Sequence, residues 1–130
     1  MNSSKDPLFA LVAEDAKSID RARIADFLTQ YVVIDKESKG LTFRGAFNAI
    51  GDNGRKLEIV LLASLARSLI FPGESAALAP KEIIAMQVLA EGSVKSGLRG
   101  LLKSGSIKQN AEGKYHVPTY RIDEIISVTN

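Results

Sequence analysis

The sequence predicts a mainly α fold of the α+β class. Three observations predict it. Apolar residues recur at three- and four-residue spacing along several stretches, as on one face of a helix. Two other stretches turn to β-branched or alternating residues around polar, glycine-containing turns, as hairpins do. Aspartate, serine, proline and glycine stand at the ends of the helical stretches, where caps belong.

Taken in order, Met1–Lys5 reads as a loose end. Asp6 caps a first helix with Pro7 at its first position. A second helix starts near Asp20 and gathers Ile24, Phe27, Leu28 and Tyr31 on one face. "YVVIDKESKGLTFRG" then reads as a β-hairpin: Tyr31–Asp35 and Leu41–Arg44 around the five-residue loop Lys36–Gly40. A helical turn is expected at Ala46–Ile50, broken by "GDNG". Asp52 or Asn53 caps a long helix from about Arg55 to Ile70, with Leu57, Val60, Leu61, Leu65 and Leu69 as its core stripe. "FPGES" ends that helix, and Ala76–Leu78 is expected as a short edge strand.

Pro80 opens the next helix, with Glu82 in its first turn where the dipole favours an acid, and Ile83, Ile84 and Val88 toward the core. "LAEG" is a tight connection to a helix Val94–Lys103, for which Ser93 is the expected N-cap and Gly105 the stop. Ser106–Gln109 and Lys114–Pro118 read as strands joined by "NAEG". A last helix over about Arg121–Val128 offers Ile122, Ile125 and Ile126.

The length of 130 residues suits one domain able to bury a core unaided. Residues 1–54, helices plus hairpin, are expected to pack on the same domain as 55–130. There is no cysteine, so disulfides and thiolate metal sites are excluded. The formal net charge is +2, and the whole excess lies in residues 80–130. Pro7–Ala13 is short, has no basic run before it and is followed by Glu14 and Asp15, unlike a secretory leader. Ile59–Phe71 is too short to span a bilayer and contains Arg67. The expectation is a cytoplasmic protein with no membrane partner.

The stretch "LAPKEIIAMQVLAEGSVKSGLRGLLKSGSIKQNAEGKYHVP" resembles the winged helix-turn-helix superfamily. Its "P-x-E-I" opening, serine-started second helix, "L-x-x-x-G-x-I" ending and hairpin around a polar turn carry the resemblance, over about residues 55–118. The resemblance implies a DNA-binding transcriptional regulator, with helix 93–103 in the major groove, hairpin 106–118 as the wing, and a homodimer reading two half-sites. Winged helices also bind RNA or protein, and fold alone does not choose.

On a helical wheel Val94, Leu98, Leu101 and Leu102 share one side of Val94–Lys103, and Lys95, Arg99 and Lys103 form a ridge beside it. Arg99 suits guanine O6 and N7, or a phosphate. Lys95 and Lys103 suit phosphates. Ser93 and Ser96 are short donors near the helix start. Lys108 and Lys114 add cations on the wing, while Glu112 at its tip would repel a phosphate. The same ridge is also what a solvated helix face shows, and Gly97 and Gly100 also suit close approach of Val60 or another helix. The alternative reading is therefore a non-catalytic protein-interaction or assembly module of the same shape.

Signals for catalysis are weak. His116 is the only histidine and stands in a strand-like segment without a triad partner nearby. "GDNGRK" lacks the spacing of a phosphate-binding loop. Asp123 and Glu124 point about 100° apart on a helix. A site of several histidines or cysteines is impossible, while carboxylate-only Mg²⁺ sites stay open. No enzyme activity and no cofactor are expected.

Overall fold

The computed structural model describes residues 20–128. The expected helix from Asp6, and the loose end before it, lie outside the described residues. The chain forms α1 (Arg21–Leu28), β1 (Val32–Ile34), β2 (Leu41–Phe43), α2 (Gly45–Asn48), α3 (Asn53–Ile70), α4 (Pro80–Ala85), α5 (Glu91–Ser104), β3 (Lys108–Gln109), β4 (Tyr115–His116), a 3-10 turn (Thr119–Arg121) and α6 (Ile122–Ser127). The class is α+β: helices with two separate two-stranded antiparallel sheets, β1–β2 and β3–β4.

The helices begin where their caps dictate. The Asp20 carboxylate accepts the Arg23 N–H at 3.1 Å and starts α1. The Asp52 carboxylate accepts the N–H groups of Gly54 and Arg55 and starts α3. Each satisfies backbone donors that a helix start leaves without partners. At α4, Pro80 sets the first turn and the Glu82 carboxylate reaches back to the Ala79 N–H at 2.8 Å.

α3 is the central element, touching α1, α5, α6 and β4. Its 18 residues include Leu57, Ile59, Val60, Leu61, Leu62 and Ala63, all fully buried. Apolar side chains around most of its circumference are what a helix covered on several sides requires. Around it gather Ile24, Phe27 and Leu28 of α1, Phe47 of α2, Ile83 of α4, Val94 and Leu98 of α5, and Ile122 and Ile125 of α6, in one core cluster.

The first hairpin pairs Val32 with Phe43 and Ile34 with Leu41. Its loop is built by Asp35, whose carboxylate accepts the N–H groups of Glu37 and Ser38 at 3.0 and 2.6 Å. Lys39 is left-handed at φ 64°. The loop is tied to α3 by Arg67, which is buried and donates to the Lys39 carbonyl at 2.9 Å. The arginine in the long apolar stretch thus has a structural use: one donor meets the Lys39 carbonyl, another the Ser64 hydroxyl at 3.5 Å, and Glu74 lies 3.8 Å from its Nε.

The expected edge strand at Ala76–Leu78 is reduced to a single bridge. Leu78 and Tyr115 exchange N–H···O bonds of 2.9 and 2.8 Å, and Leu78 is buried. No helix among the described residues is long and apolar enough to cross a membrane.

Candidate nucleic-acid interface

The expected helix Val94–Lys103 is longer than its sequence pattern indicates. α5 runs Glu91–Ser104, and its N-cap is Ala90, not Ser93. Ala90 has extended backbone, φ −63° and ψ 151°, so the chain enters the helix there. Ser93 lies in the first helical turn, half-buried, and no side-chain hydrogen bond caps the helix. Glu91 supplies the favourable first-turn charge that a serine cap was expected to provide as a hydrogen bond. At the far end Gly105 takes φ 83°, the left-handed stop that glycine permits, and its N–H reaches the Leu101 and Leu102 carbonyls.

One side of α5 is anchored. Val94 and Leu98 are buried against the core, and Leu101 and Leu102 are half-buried. Gly97 is the point of closest approach to α3. A Cβ built there would lie 2.5 Å from Leu57 Cδ1. The neighbour is Leu57 rather than Val60, and Gly100 meets nothing within 4 Å. The two glycines therefore differ: Gly97 fits α5 onto α3, and Gly100 leaves bare backbone facing outward.

The other side carries the cations. Lys95, Ser96, Arg99 and Lys103 are all exposed. Lys95 is not free: its Nζ lies 2.9 Å from the Glu91 carboxylate one turn earlier. That pair holds the Glu91 carboxyl below its usual range, through the hydrogen bond and the charge of Lys95. Arg99 and Lys103 form no ion pair among the described residues. The cationic edge thus turns outward, with one of its three charges engaged by its own helix. The Glu91–Lys95 spacing was the available sequence signal, since acid and base four residues apart meet on a helix.

The second hairpin follows directly. Lys108 pairs across to His116 and Gln109 to Tyr115. The Asn110 side chain closes the turn by accepting the Glu112 and Lys114 N–H groups at 2.9 and 3.0 Å, and Gly113 takes φ 79°. Lys108 is exposed and Lys114 half-buried; Glu112 is exposed at the tip. Tyr115 is half-buried and belongs to the packing around the core. His116 is half-buried, and among the described residues no cluster of three or more His, Asp or Glu side chains forms a metal-binding group.

A charged cluster gathers around Arg121, and of its pairs sequence spacing reveals only Arg121–Glu124, three residues apart. Arg121 pairs with Glu58 of α3 at 3.6 Å, contacts Glu124 on α6, and reaches the Ser106 hydroxyl at 3.4 Å. Burial pushes the Glu58 carboxyl up, against the pull of Arg55 and Arg121. The cluster clamps the C-terminal elements to α3 and stands apart from the exposed edge of α5.

Comparison of the chain with models of protein families, with curated proteins and with solved structures finds no match.

Proposed function

We propose that the chain is a winged helix-turn-helix protein that binds double-stranded DNA, as a cytoplasmic transcriptional regulator. In this reading α4 and α5 are the two helices of the motif, α5 lies in the major groove, and β3–β4 is the wing. The succession α4, turn, α5, hairpin supports the reading. So does the Leu78–Tyr115 bridge, which ties the segment before α4 to the hairpin after α5.

The observation that carries it is the state of Arg99 and Lys103: both exposed, one helical turn apart, and without an ion-pair partner among the described residues. Gly100 beside them adds no side chain between backbone and ligand. Arg99 would contact a guanine edge or a phosphate, and Lys103 and Lys108 phosphates. Ser96 is a short donor on the same exposed side, whereas half-buried Ser93 and Lys114 contribute less than their sequence positions imply. A homodimer placing two copies of α5 on successive half-sites completes the proposal.

Titration of the chain with random-sequence duplex at two salt concentrations tests it. Binding that weakens steeply with salt supports the reading. No binding at low salt contradicts it. The protein-interaction reading has its own support: Glu112 at the hairpin tip and the Glu91–Lys95 pair both reduce the attraction of this face for phosphate.

A further inference from the structure

Five asparagines stand in the sequence, and only Asn53 is followed by glycine. Asparagine is one of the thermolabile residue types. The backbone nitrogen that follows it can attack its side-chain carbonyl carbon. A glycine in that next position puts no Cβ in the way and turns most readily into the reactive conformation. At Asn53–Gly54 a bond would form from the Gly54 nitrogen to Asn53 Cγ, and the bond from Cγ to the amide nitrogen would break. The Gly54 proton passes through solvent base to the leaving ammonia. Water then opens the five-membered ring at one of its two carbonyls, giving aspartate or isoaspartate.

The fold holds both reacting groups in defined states. Asn53 is the first residue of α3 and is exposed. Its side chain makes no hydrogen bond among the described residues. The Asn110 side chain, by contrast, is engaged by the Glu112 and Lys114 N–H groups. The nucleophile at Asn53 is also the group that the helix cap engages. The Gly54 N–H donates to the Asp52 carboxylate at 2.8 Å, and the Arg55 N–H donates to the same oxygen at 3.3 Å. Attack is therefore opposed twice, by the cap on the Gly54 N–H and by the helical backbone at Asn53. A first helical turn is also where a fold opens most cheaply without unfolding as a whole.

We infer that Asn53–Gly54 is a latent deamidation site and that the Asp52 cap keeps it closed. Reaction proceeds from the fraction of molecules whose first α3 turn has opened, so its rate follows that local equilibrium. The isoaspartate product routes the main chain through the former side chain and lengthens it by one methylene. That displaces the Gly54 and Arg55 N–H groups from the Asp52 carboxylate. Arg55 is buried and donates from its side chain to the Val128 carbonyl at 3.0 Å, so the product should be less stable than the parent chain. The inference is independent of what α5 binds.

The test incubates the full chain in mildly alkaline buffer and follows the mass gain of amide-to-acid conversion, located by peptide mapping. Conversion should occur at Asn53. Asp52→Ala should raise the rate about fivefold, the factor that loss of a typical cap gives to a helix-end equilibrium. Asp52→Ser keeps an acceptor and should stay near the wild-type rate. Gly97→Ala loosens the fold away from the cap and should leave the rate unchanged. The wild-type chain unfolded in urea should convert several-fold faster than the folded chain. Conversion located at another asparagine overturns the inference. So does an unchanged rate in Asp52→Ala, or acceleration by Gly97→Ala as large as that by Asp52→Ala, which would mean that the site opens only with global unfolding. Equal wild-type rates with and without urea also overturn it, because the fold would then give Asn53 no protection.

Discussion

Gly97 of α5 lies so close to Leu57 of α3 that a Cβ on the glycine would stand 2.5 Å from Leu57 Cδ1. Leu57 is fully buried, so its side-chain end would have to shift within the packed core. Three residues later Gly100 meets nothing within 4 Å. The same residue type is thus a packing requirement at one position and an exposed backbone at the other.

The two positions should respond to alanine with opposite signs. Gly97→Ala gains about 1 kcal/mol of helix propensity but forces Leu57 to move, and overpacking costs about 1–3 kcal/mol, so it should destabilise. Gly100→Ala keeps the gain and should stabilise by about 0.5–1 kcal/mol. Urea unfolding of the two variants checks the pair. Equal effects would show that α5 does not rest on Leu57.

Asp52 should be worth about 1 kcal/mol as the cap of the central helix. It accepts two backbone N–H groups at the start of α3, and Asp52→Ala leaves both to water. The denaturation midpoint should fall with an unchanged denaturant slope, while Asp52→Asn or Asp52→Ser recovers most of the loss.

The Glu58 carboxyl gives stability a pH dependence of a particular sign. Burial raises its folded-state value above the ordinary 4.5. The folded state therefore holds the proton more readily than the unfolded one, and this group's contribution favours folding as pH falls. From pH 4.5 upward to the raised value that contribution is lost, and above it the charged, half-buried carboxylate disfavours folding. Glu58→Gln should flatten this part of the stability profile. Asp35 acts with the opposite sign. Hydrogen bonds from Ser38 lower its value below 3.8, so its contribution is present above pH 3.8 and is lost in more acidic solution. Unfolding measured from pH 3 to 7 separates the two, with Asp35→Asn lowering stability above pH 3.8 and removing the fall in more acidic solution.

Much of the fold was legible because its signals are local. Asp20, Asp52, Pro80 and Gly105 mark helix ends through short-range hydrogen bonds or backbone restrictions, and they stand where their residue types predict. Both hairpins follow from polar turns between apolar runs. The start of α5 was not legible in the same way. Ser93 is a better cap than Ala90 by residue type, and Gly92 suggests a connection, yet Val94 and Leu98 must face the core and Glu91 suits a first turn. Tertiary packing outweighs the cap preference there. The Leu78 bridge is a long-range pairing between the segment before α4 and β4, so local alternation could not set its length. The partner of Gly97 and the Arg121–Glu58 pair depend on how elements cross, which no spacing within one element records.

Within the proposed DNA complex, the cations of α5 should not be equivalent. Lys95 is engaged by Glu91, so Lys95→Gln should weaken duplex binding less than Lys103→Gln. Glu91→Gln should strengthen it by freeing Lys95 and removing a repelling charge. Arg99→Glu should weaken it about tenfold or more and lower the salt slope by about one. Fluorescence anisotropy with a labelled duplex at three salt concentrations measures all four.

Mapping of backbone amide shifts, as duplex DNA is added to the isotope-labelled chain at low salt, asks most directly whether the outward edge of α5 meets DNA. The account predicts the largest changes at Ser96, Arg99, Gly100, Lys103 and Lys108, with α1 and the first hairpin unmoved. A spectrum that does not change, or changes concentrated away from α5, would contradict it.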